Sequence, residues 1–269
     1  MTRMLSMTGA AATAIVGFTL AMATPATAQA ADERLDALDS RITRLEDMDQ
    51  IERLQFTYGY FVDKAQWTPL AELFTEEATL EIGGKGIFTG KDRVLEYMQG
   101  SFGQDGAKPG VLINHMQFQP ITDTSPDGKT AWMRERAYVM ANSGWGLPLY
   151  ENDYKKGEDG KWRINRLTGP FTMYANWEHG WLKDAWPNTW PDKFGIPPDL
   201  PPSTVYLTYP GYYIIPYHYP NPVTGKALVP DRGEVGAYVA PPGTPQQEAA
   251  LKVGRLADGT QPISAPPRD

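Results

Sequence analysis

The chain has 269 residues, a formal charge of −7, no cysteine, and three histidines at positions 115, 179 and 218. Without cysteine there are no disulfides, thiolate zinc sites or thiol nucleophiles. An acidic chain lacking a Lys/Arg cluster argues against nucleic acid and anionic membrane surfaces as partners. No Walker loop, EF-hand loop, H-x-x-x-H or G-x-G-x-x-G occurs, so no cofactor and no metal is expected, and the chemistry falls to ordinary side chains.

At the N-terminus Arg3 precedes a mostly apolar run from Ala10 to Ala23 and the small-residue stretch "ATAQA". That is the pattern of a secretory signal peptide over residues 1–30, cleaved near Ala30. The mature chain is therefore expected to be periplasmic or secreted, with no membrane span. From Asp32 the spacing predicts a long helix, with Leu35, Leu38, Ile42, Leu45, Met48, Ile51 and Leu54 recurring every three or four residues. Its first half reads as a solvated, coiled-coil-like arm. Beyond Leu54 two stripes run on opposite sides. Leu54, Tyr58, Phe61 and Ala65 suit a core, while Phe56, Tyr60, Asp63 and Trp67 suit the wall of a cavity.

"WTPLAELFTEEA" predicts a second helix, with Thr68 as N-cap and Pro69 at its first position. "ATLEI" reads as a short strand ending at "GGKG", and "GKDRVLEYMQG" as a third helix between glycines. Four strands follow, "VLINHMQFQPI", "AWMRERAYVM", "LPLYENDYKK" and "KWRINRL", joined by turns such as "SPDGKT" and "GEDG". Helices first and a strand meander afterwards predict an α+β fold, a curved antiparallel sheet with helices on its concave face.

After Tyr174 the composition changes. Residues 187–222 hold ten of the 24 prolines, and residues 206–219 hold six tyrosines. Proline at that density forbids regular helix and central strand, yet the aromatic content is too high for a disordered linker. The stretch 176–240 is therefore expected to wrap over an apolar surface of its own domain, of a neighbour, or at a pocket mouth. Residues 241–269 are expected to form a tail. So many aromatics seeking cover also predict a homodimer or homotrimer.

Asp63 is the first candidate for chemistry. Flanked by aromatic residues, its charged form would be poorly solvated, which raises a carboxyl pKa toward the range useful for acid–base work. The plain alternative is a helix-end aspartate paired with an arginine. His115 shares a strand face with Gln117 and Gln119, a polar row suited to a pocket wall, although alternation alone fits an outer surface equally well. Glu135 alternates with Ala131, Met133 and Ala137 and is a candidate second pocket carboxylate. Tyr60 and Tyr138 are candidate phenol donors, and Trp67 a candidate stacking surface.

The run "LEDMDQIERLQFTYGYFVDKAQWTPLAELFTEEATLEI", with "NHMQFQPI…DGKTAWMRERAYV…DGKW" later, resembles the SnoaL-like branch of the NTF2-like superfamily. The resemblance implies a cone-shaped α+β barrel around a pocket, here as a domain over residues 31–175. It covers scytalone dehydratase, polyketide cyclases, isomerases, cofactor-free lyases that release formaldehyde from lignin-derived diaryl compounds, and non-catalytic binders. Asp63 with Trp67, and His115, match pocket positions of the dehydratase. Val62 and Gly83 or Gly84 stand where that enzyme has tyrosines, and no second histidine lies near Ala141, so scytalone is not the expected substrate. The expectation is a cofactor-independent lyase eliminating water or formaldehyde from an aromatic alcohol. A non-enzymatic binder of a hydrophobic small molecule, or an isomerase or cyclase, is the alternative.

Overall fold

The structure, a computed structural model, describes residues 25–83, 85–178, 180–183, 196–200, 202–203, 209 and 213–228. Most of the expected signal peptide, the tail 241–269 and His179 lie outside them. The chain divides into two units, Met1–Ile42 and Thr43–Asp269, and helix α1 (Pro25–Asp63) crosses the boundary. In the first unit Leu35, Leu38 and Ile42 of α1 are exposed. Among the described residues no helix is long and apolar enough to cross a membrane.

In the second unit the elements after α1 are α2 (Trp67–Ala71), β1 (Phe74–Ile82), β2 (Ile87–Thr89) and α3 (Lys91–Phe102). β3 (Ile113–Thr124), β4 (Thr130–Ala141), β5 (Gly144–Lys156), β6 (Trp162–Gly169), β7 (Phe171–Asn176) and a single-turn α4 (Gly180–Lys183) follow. The strands form one curved, open, α+β-type sheet in the order β2-β1-β6-β5-β4-β3, with β7 joined to β5. Pairing is antiparallel except between β1 and β6. Pro170 breaks the run after β6, and β7 continues along the same edge of β5, opposite Gly144–Pro148.

Three sequence expectations change. The second helix is a short turn, and "FTEEA" lies in β1, because Phe74 pairs with Ile164 and is buried in the core. Its N-terminus is capped from outside, the Thr68 amide donating to Asp105 Oδ2 at 2.8 Å, rather than by Thr68 itself. Finally, α1 buries neither predicted stripe as a unit. Asp47, Ile51, Gln55, Tyr58 and Val62, three or four residues apart, face the sheet, while Tyr60 is 74% exposed.

The sheet face under this α1 stripe is the inner face. Its core packs Tyr58, Trp67, Leu70, Phe74, Met133, Tyr150, Tyr154 and Ile164, all essentially inaccessible. Gly59 lets α1 approach β3. A Cβ there would fall 2.8 Å from the His115 carbonyl oxygen and 3.0 Å from Gln117 Oε1. On the outer face a strap from the C-terminal extension closes over β4 and β5. Buried Arg134 bonds Glu151 Oε2 at 2.5 Å and donates to the Ile215 and Pro216 carbonyls at 2.9 and 2.7 Å. Its guanidinium lies 4.0 Å from the centre of the Tyr217 ring, and His218 Nδ1 meets Glu151. A second part of the extension covers β2, where Leu200 bridges Ile87 and Asp199 binds Arg93. Residues 199–200 and 215–218 of the extension thus bond their own domain.

Candidate active site

Alternation along β3, β4 and β5 decides which side chains meet under α1. His115 and Gln117 of β3 point inward, as Met116 and Phe118 on the other side are exposed. On β4 the inward set is Ala131, Met133, Glu135 and Ala137, and on β5 it includes Tyr150, Asn152 and Tyr154. Glu135 and Tyr150 are direct cross-strand partners, and His115 stands opposite Val139.

The His115 ring lies between Tyr58 and Tyr150, with both ring centroids at 5.8 Å, and its Nε2 is 2.8 Å from the Tyr150 hydroxyl. The Tyr58 ring also meets the Tyr150 ring edge to face, with centroids 6.5 Å apart, and each phenol acts on the ionisation of the other. Burial disfavours the imidazolium and pushes the His115 pKa down to about 4. The same burial pushes both phenols up. At neutral pH the ring is an uncharged base whose Nε2 is held by a phenol.

Glu135 is wholly inaccessible, and neither carboxyl oxygen closes a hydrogen bond. Burial, reinforced by the Glu52 charge, pushes its pKa up to about 8, while the nearby Gln55 amide tempers the rise without reaching bonding geometry. Glu135 is therefore mostly a neutral acid at pH 7. A base kept unprotonated and an acid kept protonated on one sheet face are the two groups that acid–base chemistry needs.

Asp63 does something other than contact the imidazole. Its Oδ1 accepts the main-chain N–H of His115 at 2.5 Å. β3 is the sheet edge, so this amide has no strand partner, and the last residue of α1 supplies the acceptor. Asp63 also lines a small cavity of about 60 Å³ with Lys64, Phe102, Lys108, Val111 and Ile113. That volume is far below the roughly 300 Å³ at which drug-sized ligand sites begin.

The remaining candidates are dispersed. Trp67 is fully buried, donates from Nε1 to the Gly103 carbonyl at 2.8 Å and packs against Phe102. Gln119 is exposed in a β3 bulge, with φ of 59°. Tyr138 lies on the outer face beside Trp145, and Tyr60 points to solvent. The structure sets His115, Gln117 and Glu135 on one face of β3 and β4, and Asp63 behind the His115 backbone. Pattern reading missed Tyr150, Tyr58 and Gln55 as partners. Gln55, the polar member of "RLQFTY", carried the only local signal, a helix position one turn before Gly59. Among the described residues no group of three or more His, Asp or Glu is arranged to hold a metal ion.

The model of the SnoaL-like domain matches residues 43–168, and no curated protein matches the chain. A proposed scytalone dehydratase from Novosphingobium aromaticivorans is similar at 20% identity, over 60% of this chain and 96% of its own, with a TM-score of 0.43. LinA is similar at 17% identity, over 52% and 95%, with a TM-score of 0.45. ActVI-ORFA from Streptomyces coelicolor is similar at 10% identity, over 46% and 95%, with a TM-score of 0.40. Residues 43–168, a little under half of the chain, are thus similar to the SnoaL-like domain.

Proposed function

We propose that the protein is a cofactor-independent lyase that eliminates water or formaldehyde from an aromatic alcohol by acid–base chemistry on the inner sheet face. The observation that carries this reading is the presence of neutral His115, held by Tyr150, and wholly buried Glu135 on the same face of adjacent strands. For a diarylpropane-1,3-diol, His115 takes the hydroxymethyl O–H proton and the C–C bond to that carbon breaks, releasing formaldehyde. The bonding pair forms the new alkene, and the neighbouring hydroxyl leaves as water with a proton from Glu135. The products are stilbene, formaldehyde and water. For simple dehydration His115 takes a C–H proton instead, and Glu135 acts as before. Asp63 positions His115 through its amide, and Gln117 contacts the substrate.

Loss of a positioned acid or base lowers rate by ~10²–10⁴. His115→Ala and Glu135→Gln are each expected to lower turnover of a diarylpropanediol by at least two orders, read as stilbene absorbance and free formaldehyde. Wild-type turnover in both would defeat the catalytic reading in favour of a binding protein. The reading includes export, tested by sequencing the native N-terminus. It also includes self-association through exposed Met116, Phe118 and Trp177, and a monomer mass by light scattering would exclude that.

A further inference from the structure

Five side-chain atoms beneath α1 are sealed from solvent without a hydrogen-bond partner: Gln55 Nε2, both polar atoms of Gln117, and both oxygens of Glu135. Buried polar atoms are nearly always paired, so such a concentration requires a reason. Their placement supplies one. The Gln55 amide cannot flip, because its Oε1 accepts from the Tyr154 hydroxyl at 2.7 Å and from Asn152 Nδ2 at 3.2 Å. Its Nε2 is thereby turned toward Glu135, whose ionisation it influences. One helical turn on, Gly59 leaves the space into which Gln117 Oε1 reaches. Gln117 stands opposite Ala137, the next inward position along β4 from Glu135. The four residues therefore lie between a single turn of α1 and strands β3 and β4.

The geometry points to a subsite for an uncharged hydroxyl group of the substrate, with Gln55 and Gln117 as its donors and Gln117 and Glu135 as its acceptors. This inference rests on the proposed lyase reading for its substrate but makes a separate claim about recognition. Charge selects the class. The groups acting on Glu135 are Gln55 and Glu52, with no cation among them, so a carboxylate or phosphate would enter without a counter-charge. A neutral carboxyl likewise gives an ammonium ion nothing to pair with. A hydroxyl both donates and accepts, and matches the mixed set of atoms. Sites built to hydrogen-bond a hydroxyl discriminate strongly against analogues that leave those atoms unpaired.

Three probes of similar shape test it on the whole protein by ligand-observed NMR at pH 7: benzyl alcohol, benzoate and benzylammonium. Benzyl alcohol is expected to bind at least tenfold more tightly than either ion. Gln117→Leu should remove at least tenfold of its affinity while retaining the native thermal transition. A second arm needs no variant. As pH rises through about 8 and Glu135 ionises, benzylammonium should gain on the alcohol in the wild-type protein. Equal binding of alcohol and benzoate, no binding of any probe, or unchanged affinity in Gln117→Leu overturns the subsite. Because the readout is binding, an inactive protein that still prefers the alcohol sinks the lyase reading and upholds the subsite. Turnover of aryl alcohols with Gln117→Leu at wild-type affinity does the reverse.

Discussion

Glu135→Gln separates an ionisation penalty from a packing effect, since the two side chains have nearly the same shape. In the folded protein the carboxyl titrates at about 8, against 4.5 for the ordinary group. A raised carboxyl pKa means that the folded state holds its proton more tightly, so this contribution is complete below 4.5 and is lost as pH rises to about 8. His115 acts oppositely. Its pKa is depressed from 6.5 to about 4, so its contribution is complete above 6.5 and is lost as pH falls toward 4. Between 4.5 and 6.5 the two slopes offset each other. From 6.5 to about 8 Glu135 acts alone of the pair, and at about 1.4 kcal/mol per pH unit the wild-type protein loses about 2 kcal/mol. For a domain of this size that is a fall in Tm of roughly 4–8 °C, absent from the glutamine variant. Urea unfolding of both proteins at pH 6.5 and 8.5 measures the difference. If their stabilities fall in parallel across that window, Glu135 is not the buried neutral acid described above.

Gly59→Ala should destabilise the fold by about 1–3 kcal/mol even though alanine favours helix by ~1 kcal/mol, because its Cβ meets the His115 carbonyl. A more stable variant in denaturant titration would contradict the close approach of α1 to β3. Arg134→Met leaves Glu151 without its guanidinium and the Ile215 and Pro216 carbonyls without a donor. Removing one member of a buried ion pair costs about 3–5 kcal/mol, and the remaining His218 contact puts this case at the lower end. Proteolysis within residues 213–228 should accelerate, and unchanged protection would show that the strap is held by other contacts.

Composition and periodicity made the order of elements readable, since each long strand alternates around a buried row such as Ala131, Met133, Glu135 and Ala137. The short pieces were not readable. β2 and β7 each exist because of a partner, Thr79–Glu81 for one and Gly144–Pro148 for the other, and a three-residue strand carries no period of its own. The face of α1 was misread for a related reason. Apolar residues lie all around the helix near Tyr60, so hydrophobicity could not say which of them the sheet would cover, and the polar Gln55 and Asp47 turned out to mark the buried side. His115 and Glu135 were legible as strand residues of unusual type. The contact that organises them, Tyr150 to His115, spans 35 positions and had no local signature.

The Arg134 clamp has a consequence for where this domain ends. The matched stretch stops at residue 168, yet β7, which lines one edge of β5, begins at Phe171. The carbonyls that satisfy the buried guanidinium belong to residues 215 and 216. A polypeptide cut to the matched stretch would retain Glu135 and His115 and still lack part of its own outer wall. In this chain the described fold runs on past the stretch that matches. Residues 215 and 216 of the added sequence are what satisfies the outward-facing guanidinium of β4.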